Sequence, residues 1–236
     1  MNTDAIRILA LDTSSQVSSV ALCEAETLVA ESAFNLRSTH SQSLLNQLDT
    51  LLKTAGWTLA DLHLLAVVSG PGAFTGVRIG VATIKGLAQV LSLPVVTVSS
   101  LAAVAMNLPL QPLPVCAFID ARKKEVYTQL FANQEGLPRP LNQARVVSPR
   151  QLLAEIQEAV CFVGDGVPVY RDLILEQGVS RQLVAPPWCH PIQASRVAAL
   201  ALEDYRNGQT LRPEQVVPTY IRPSDAELNK QGSNDR

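Results

Sequence analysis

The stretch Ser69-Gly70-Pro71-Gly72-Ala73-Phe74-Thr75-Gly76-Val77-Arg78-Ile79-Gly80 has the composition of a loop that could cradle a phosphate. An apolar run, 62–68, leads into it and a long apolar segment, 77–93, leads out, which is the order strand, glycine turn, helix. The chemistry on offer is anion binding at a helix N-terminus, where unpaired N–H groups and the helix dipole favour negative charge. The spacing does not fit the known signatures. A Walker loop closes on Gly-Lys-Ser/Thr, whereas Gly76 is followed by Val77 and Arg78. A Gly-x-Gly-x-x-Gly fingerprint has its third glycine one residue earlier than here. It also needs an acid about 20 residues on, where 95–99 supplies none. Gly72, Gly76 and Gly80 instead recur every four residues, a bare helical stripe that another backbone can approach closely. Packing or partner contact is the favoured reading.

Other reactive residues are sparse. His40, His63 and His190 are the histidines, and none has a second His or Cys at helical spacing; the residue four after His40 is Leu44. Cys189 and His190 are neighbours, but adjacency in sequence does not make a nucleophile–base pair. Cys23, Cys116 and Cys161 are equally isolated, with no Cys-x-x-Cys, and read as small buried hydrophobes. No metal, cofactor or nucleophile is expected. The formal net charge is −2, and no basic cluster exceeds Arg122-Lys123-Lys124, so strong autonomous nucleic-acid binding is disfavoured. No run approaches about 18 apolar residues, so no membrane span is expected. Scattered thiols and the lack of an apolar leader point to the cytoplasm.

The elements that must position these residues repeat. At about 150 residues per domain, 236 residues make one large or two small domains. Segments 6–12, 17–23 and 27–34 read as strands, and the first ends in Asp12. Helix 38–55 carries Leu44, Leu45, Leu48, Leu51, Leu52 and Ala55 at helical spacing, with Ser38, Thr39 and Ser41 as candidate caps and Gly56 at its stop. Helix 77–91 is apolar on two faces. Val77, Val81, Ile84 and Ala88 form one, Ile79, Leu87 and Val90 the other, with Arg78, Lys85 and Gln89 between them. It therefore needs its own sheet on one side and a second domain or another protein on the other. Strand 94–98 and helix 100–107 complete the first half. After Pro109, Pro112 and Pro114 the order begins again, with strand 115–120 ending in Asp120, strands 125–131 and 144–147, helix 149–159, strand 160–163, helix 169–177, strand 182–185 and helix 192–207. Each half reads βββαβαβα. The expected units are 1–108 and 109–222, followed by a polar, disordered tail, 223–236.

A duplicated α/β unit with an acid closing the first strand of each half resembles the actin, sugar-kinase and heat-shock ATPase superfold, also called ASKHA. Asp12-Thr13-Ser14 is similar to its first phosphate loop, Asp120-Ala121-Arg122 to its second, and Gly164-Asp165-Gly166 to its adenosine loop. Active members place glycines after the acids. Thr13, Ser14, Ala121 and Arg122 stand there instead, which implies a degenerate nucleotide site with strand-end hydrogen bonding as the role of Asp12 and Asp120.

A narrower resemblance rests on Ala10-Leu11-Asp12-Thr13, Thr39-His40-Ser41-Gln42, the twelve-residue glycine stretch, Ile119-Asp120-Ala121-Arg122 followed by Glu125-Val126-Tyr127, and Pro218-Thr219-Tyr220-Ile221-Arg222. Together these are similar to the bacterial TsaB family, sometimes labelled glycoprotease-like, from Ile6 to about Arg222. The resemblance implies a role in making threonylcarbamoyladenosine in tRNA, as the non-catalytic partner of a TsaD-like transferase, with a TsaE-like ATPase joining. It implies tRNA contact only through that complex. The catalytic relative holds metal through His-x-x-x-His on the helix after the fifth strand, whereas residues 99–104 here contain no histidine. The expected partner surface is helices 38–55 and 77–91, with His40, Leu44, Leu45, Leu48, Leu52, Gly72, Phe74, Thr75, Gly76, Arg78 and Gly80 as contacts. Leu45, Leu48 and Leu52 are the leucines expected to point outward. A homodimer through the same surface is the alternative when the transferase is absent. An active ATPase or small-molecule kinase of the superfold, and a metal-dependent peptidase, are the competing functions; missing glycines disfavour the first and missing histidines the second.

Overall fold

The computed structural model describes residues 6–35, 40–177 and 182–222, with side chains in the first helix described from Leu44 onward. The expectations for Ser38 and Thr39 as caps and for the tail fall outside those residues, and those for the Ser41 cap and the His40 contact fall on side chains outside that description.

The first sheet contains β1 (Arg7–Asp12), β2 (Val17–Glu24), β3 (Thr27–Asn35), β4 (Leu64–Gly70) and β5 (Val95–Ser99), in the order β3-β2-β1-β4-β5. β1, β4 and β5 are parallel, and β2 and β3 extend the sheet antiparallel. The continuous apolar run of β1 follows from burial on both faces. Leu9 and Leu11 point toward α1 (His40–Ala55) and α2 (Phe74–Leu91), whereas Ile8 and Ala10 enter the layer between the two sheets.

The second sheet repeats the order. β6 (Val115–Asp120) lies between β7 (Val126–Gln134) and β10 (Cys161–Val163), and β11 (Leu183–Val184) pairs with β10. The third strand is split where the sequence pattern places one: β8 (Leu137–Pro140) pairs with Phe131–Gln134 and β9 (Arg145–Val147) with Val126–Thr128 of β7. Pro138 and Pro140 hide β8, because proline removes a ladder donor; β8 sits where only an edge strand tolerates that. α4 (Pro149–Glu155) and α5 (Gly166–Gln177) cover the outer face over Phe118 and Phe162. Ser148 caps α4 by accepting the Gln151 N–H.

Between the sheets lie α3 (Ser100–Ala105) and α6 (Ala194–Arg206). α3 reaches β6 and β7 of the second half, while α6 lies on β1, β2 and β5 of the first. One apolar cluster therefore runs from Ile8 and Val98 through Leu101 and Val197 to Val115 and Phe131. Beyond α6 the chain returns to the first half: Leu211 bridges to Val95 at the β5 edge, and Val216 is buried with the α2 core. Among the described residues no helix is long and apolar enough to cross a membrane.

Candidate functional site

The glycine stretch closes β4 and opens α2, and its small residues are used inside the chain. A Cβ on Gly76 would lie 2.0 Å from the Thr13 carbonyl oxygen, one on Gly72 would lie 2.4 Å from that of Ser14, and one on Gly80 would lie 2.5 Å from Thr13 Oγ1. The β1–β2 turn lies directly on the helix. Thr13 Oγ1 donates to the Gly76 carbonyl at 2.7 Å, and the Ala73 N–H donates to the Ser14 carbonyl at 2.7 Å. Carbonyl oxygens thus occupy the helix start where a phosphate would need donors. This corrects the expectation that Gly72, Gly76 and Gly80 meet a partner: the backbone they admit is that of Thr13 and Ser14.

Across from this turn, β6 ends at Asp120 and the β10–α5 loop folds over it. Gly164 has φ +129°, and a Cβ there would lie 2.4 Å from the Phe118 carbonyl oxygen; Gly166 is similarly tight, at 2.9 Å. Both glycines serve this close packing of loop on strand. The approach lets Asp165 Oδ1 accept the Asp120 N–H at 3.0 Å. The Asp120 carboxylate is engaged at both oxygens, by the Arg122 N–H at 2.9 Å and by its guanidinium at 3.2 Å.

Between the two turns is a cleft of about 490 Å³, lined by Ser15, Asn35, Phe74, Asp120, Asp165 and His190 among others. Two acids in or behind it, Asp12 beneath the Ser14 turn and Asp165 in its lining, are perturbed. Asp12 is fully buried, and burial pushes its carboxyl up to about 6 against the bonds it accepts from Ser14, with the Asp165 charge adding to the rise. Its Oδ1 accepts the Ser14 N–H at 2.8 Å, while Oδ2 has no hydrogen-bond partner among the described residues. Burial also raises Asp165 and lowers His190, whose Nδ1 faces the Gly164 N–H at 3.4 Å. Among the described residues no group of three or more His, Cys, Asp or Glu is placed to hold a metal. A metal–nucleotide pair fits poorly, because Asp120 is already bonded to Arg122 and the Ser14 turn covers Asp12.

The Pro218–Arg222 motif straps this corner. The Thr219 N–H donates to the Ser69 carbonyl at 2.8 Å. Tyr220 stacks on Phe74 with ring centroids 5.5 Å apart, and its hydroxyl accepts from Arg78 Nε at 2.9 Å. The Arg78 guanidinium covers the Phe74 ring at 3.7 Å. Arg222 pairs with Glu125 and reaches the Ala121 carbonyl. Three motifs far apart in sequence thus form one contiguous corner. Asp165, His190, Tyr220 and Arg222 are not singled out as site residues by the sequence, although Asp165 belongs to the Gly164-Asp165-Gly166 motif and Tyr220 and Arg222 to the Pro218–Arg222 motif noted there.

The remaining partner residues divide. Leu45 is 57% exposed, and Phe74, Thr75 and Arg78 are exposed. Leu44, Leu48 and Leu52 are buried in the core where α1 packs on β2, β3 and α2, so the outward orientation of Leu48 and Leu52 is corrected: their spacing belongs to the core face of α1. On α2, Ala82, Gly86 and Val90 are open to solvent, with Ile79 and Leu87 partly exposed beside them. Among the described residues no atom lies within 4 Å of a Cβ built on Gly86.

Comparison with known proteins places the chain in a family. The family described as TsaD: tRNA N6-adenosine threonylcarbamoyltransferase matches residues 34–230. The tRNA threonylcarbamoyladenosine biosynthesis protein TsaB of Escherichia coli (strain K12) is 32% identical, covering 92% of this chain and 95% of that protein. Its namesake from Bacillus subtilis (strain 168) is 30% identical over 93% and 96%. The structure of YeaZ from Pseudomonas aeruginosa aligns with TM-score 0.80 at 30% identity, over 91% of this chain and 99% of that one. The two sheets of like order are the duplicated actin-like architecture. With such identity over nearly the whole of both chains, this chain belongs to that family and, within it, to the TsaB proteins.

Proposed function

We propose that the chain is the non-catalytic subunit of a complex that makes threonylcarbamoyladenosine in tRNA, pairing with a TsaD-type transferase, with a TsaE-type ATPase joining. The observation that carries this reading is the near full-length similarity to proteins named for that biosynthesis. Catalytic silence is supported by the cleft: Asp120 is bonded to Arg122, and carbonyls cover the start of α2. Docking through α1 and α2 is supported by the exposed Leu45 on α1 and by Ala82, Gly86 and Val90, exposed at four-residue spacing on α2, with room for a Cβ at Gly86. Two paired helices can supply the roughly 1,200–2,000 Å² that a specific interface buries.

The test is to mix the chain with its cognate transferase, measure the mass of the complex, and assay threonylcarbamoylation of tRNA with and without it. A stable heterodimer and strict dependence of the reaction on this chain are expected. No complex, and modification at full rate without the chain, would overturn the reading.

A further inference from the structure

The turn joining β6 to β7 is built from residues poorly suited to its backbone. The Glu125 N–H donates to the Arg122 carbonyl at 2.9 Å, enclosing Lys123 and Lys124 as the two central residues. Both have positive φ, 52° and 62°, and Arg122 before them has φ 61°. The strands stay paired up to Ala121 and Glu125, so Arg122, Lys123 and Lys124 form a three-residue loop; left-handed positions of hairpin loops are most easily filled by Gly, Asn or Asp, because a Cβ is disfavoured there. The β7–β8 hairpin of the same sheet uses Glu135-Gly136, φ 53° and 80°. Here, three consecutive long cations take the strained conformation, and all are exposed. Residues held in such sparsely populated backbone regions cluster at functional sites.

The placement suggests which function. The turn forms one rim of the cleft, next to Arg222, in a chain whose formal net charge is −2. Among the described residues the acids nearby are Asp120, which pairs with Arg122, Glu125, which pairs with Arg222, and Asp165 deeper in the cleft. Lys124 makes no ion pair among the described residues, and the Arg122 side chain is 83% exposed despite its pair. The local cationic surface therefore stands out from an acidic chain.

We propose that the Arg122-Lys123-Lys124 turn is a contact for the phosphate backbone of tRNA, used when the chain sits in the assembled complex. This rests on the function proposed above and adds the surface through which this subunit touches the RNA. A few cations cannot hold RNA alone against a net negative chain, but each phosphate they neutralise adds to the affinity of a larger assembly.

The experiment measures tRNA binding to the complex of this chain with its transferase over a series of salt concentrations, using Lys124→Ala, Arg122→Ala/Lys124→Ala and, as a control on a distant cation, Arg206→Ala. Alanine keeps the Cβ, so the turn's left-handed conformation is equally disfavoured in wild type and variant. The double variant should bind tRNA roughly three- to tenfold more weakly at physiological salt, and the slope of log affinity against log salt should fall by roughly 1 for each phosphate that is no longer neutralised. Arg206→Ala should change neither, and size-exclusion chromatography should show every variant still assembled. Unchanged affinity and slope in an intact double-variant complex overturn the proposal alone. Loss of assembly in the double variant, with the slope unchanged in whatever complex remains, makes the turn a protein-docking element and overturns it too. A wild-type chain that neither joins the transferase nor alters its tRNA binding overturns both this proposal and the function on which it rests.

Discussion

The carbonyl oxygen of Thr13 lies 2.0 Å from the position a Cβ on Gly76 would take, while the Thr13 hydroxyl donates to the Gly76 carbonyl at 2.7 Å. The turn after the first strand and the first turn of α2 are therefore held together by backbone contact. This contact accounts for the four-residue glycine period, and it places oxygen atoms where a phosphate-binding helix would present N–H groups.

Gly76→Ala should destabilise the fold by about 3 kcal/mol, since the methyl meets backbone that cannot step aside. Gly86→Ala, at an exposed helical position with room for a Cβ, should stabilise it by about 0.5–1 kcal/mol. Urea titrations followed by circular dichroism compare the two. Equal shifts in the same direction would show that the Thr13 contact does not constrain the position.

Leu45 and Leu48 should part company. Leu48→Ala removes a core side chain and should cost about 3 kcal/mol of stability. Leu45→Arg should change stability by no more than about 0.5 kcal/mol, because the side chain is exposed. It should weaken transferase binding on the order of a hundredfold by leaving an unpaired charge in the interface. A folded Leu45→Arg variant that binds the transferase normally would move the interface away from this part of α1.

The buried Asp12 gives stability a pH signature. Its folded pKa, about 6, lies above the ordinary 3.8, so the native state binds more protons than the unfolded chain between those values. Stability should therefore fall as pH rises from about 4 to about 6, by about 3 kcal/mol for a shift of this size. Burial raises Asp165 as well, and it contributes in the same direction. Asp12→Asn should flatten the dependence, leaving the part due to Asp165. Denaturation midpoints at several pH values would show it; an equal slope in wild type and variant would contradict the assignment to Asp12.

Isothermal calorimetry on the chain alone should show no micromolar affinity for ATP, with or without Mg²⁺. The reason is local: the Asp120 carboxylate is bonded to Arg122, and the Ser14 turn presents carbonyls at the start of α2. A clear isotherm at micromolar concentration would mean that these groups rearrange around a nucleotide.

The sequence alone determined the order of elements and therefore the duplicated α/β fold. β1 and β6 are apolar throughout because both their faces are buried, and α1 and α2 show their helical period because one stripe of each covers a sheet. β8 was not legible, since Pro138 and Pro140 disguise an edge strand. Nor could the period of Gly72, Gly76 and Gly80 say which backbone comes close: spacing along a helix defines a stripe, and only the folded chain shows that Thr13 and Ser14 fill it. The same limit applies to Leu45 and Leu48, less than one turn apart along α1 but one exposed and the other buried. Tertiary structure alone brought Tyr220 onto Phe74 and Arg222 onto Glu125, because contacts between residues about a hundred or more positions apart depend on how the chain returns from α6 to the first sheet, and no local pattern encodes that path.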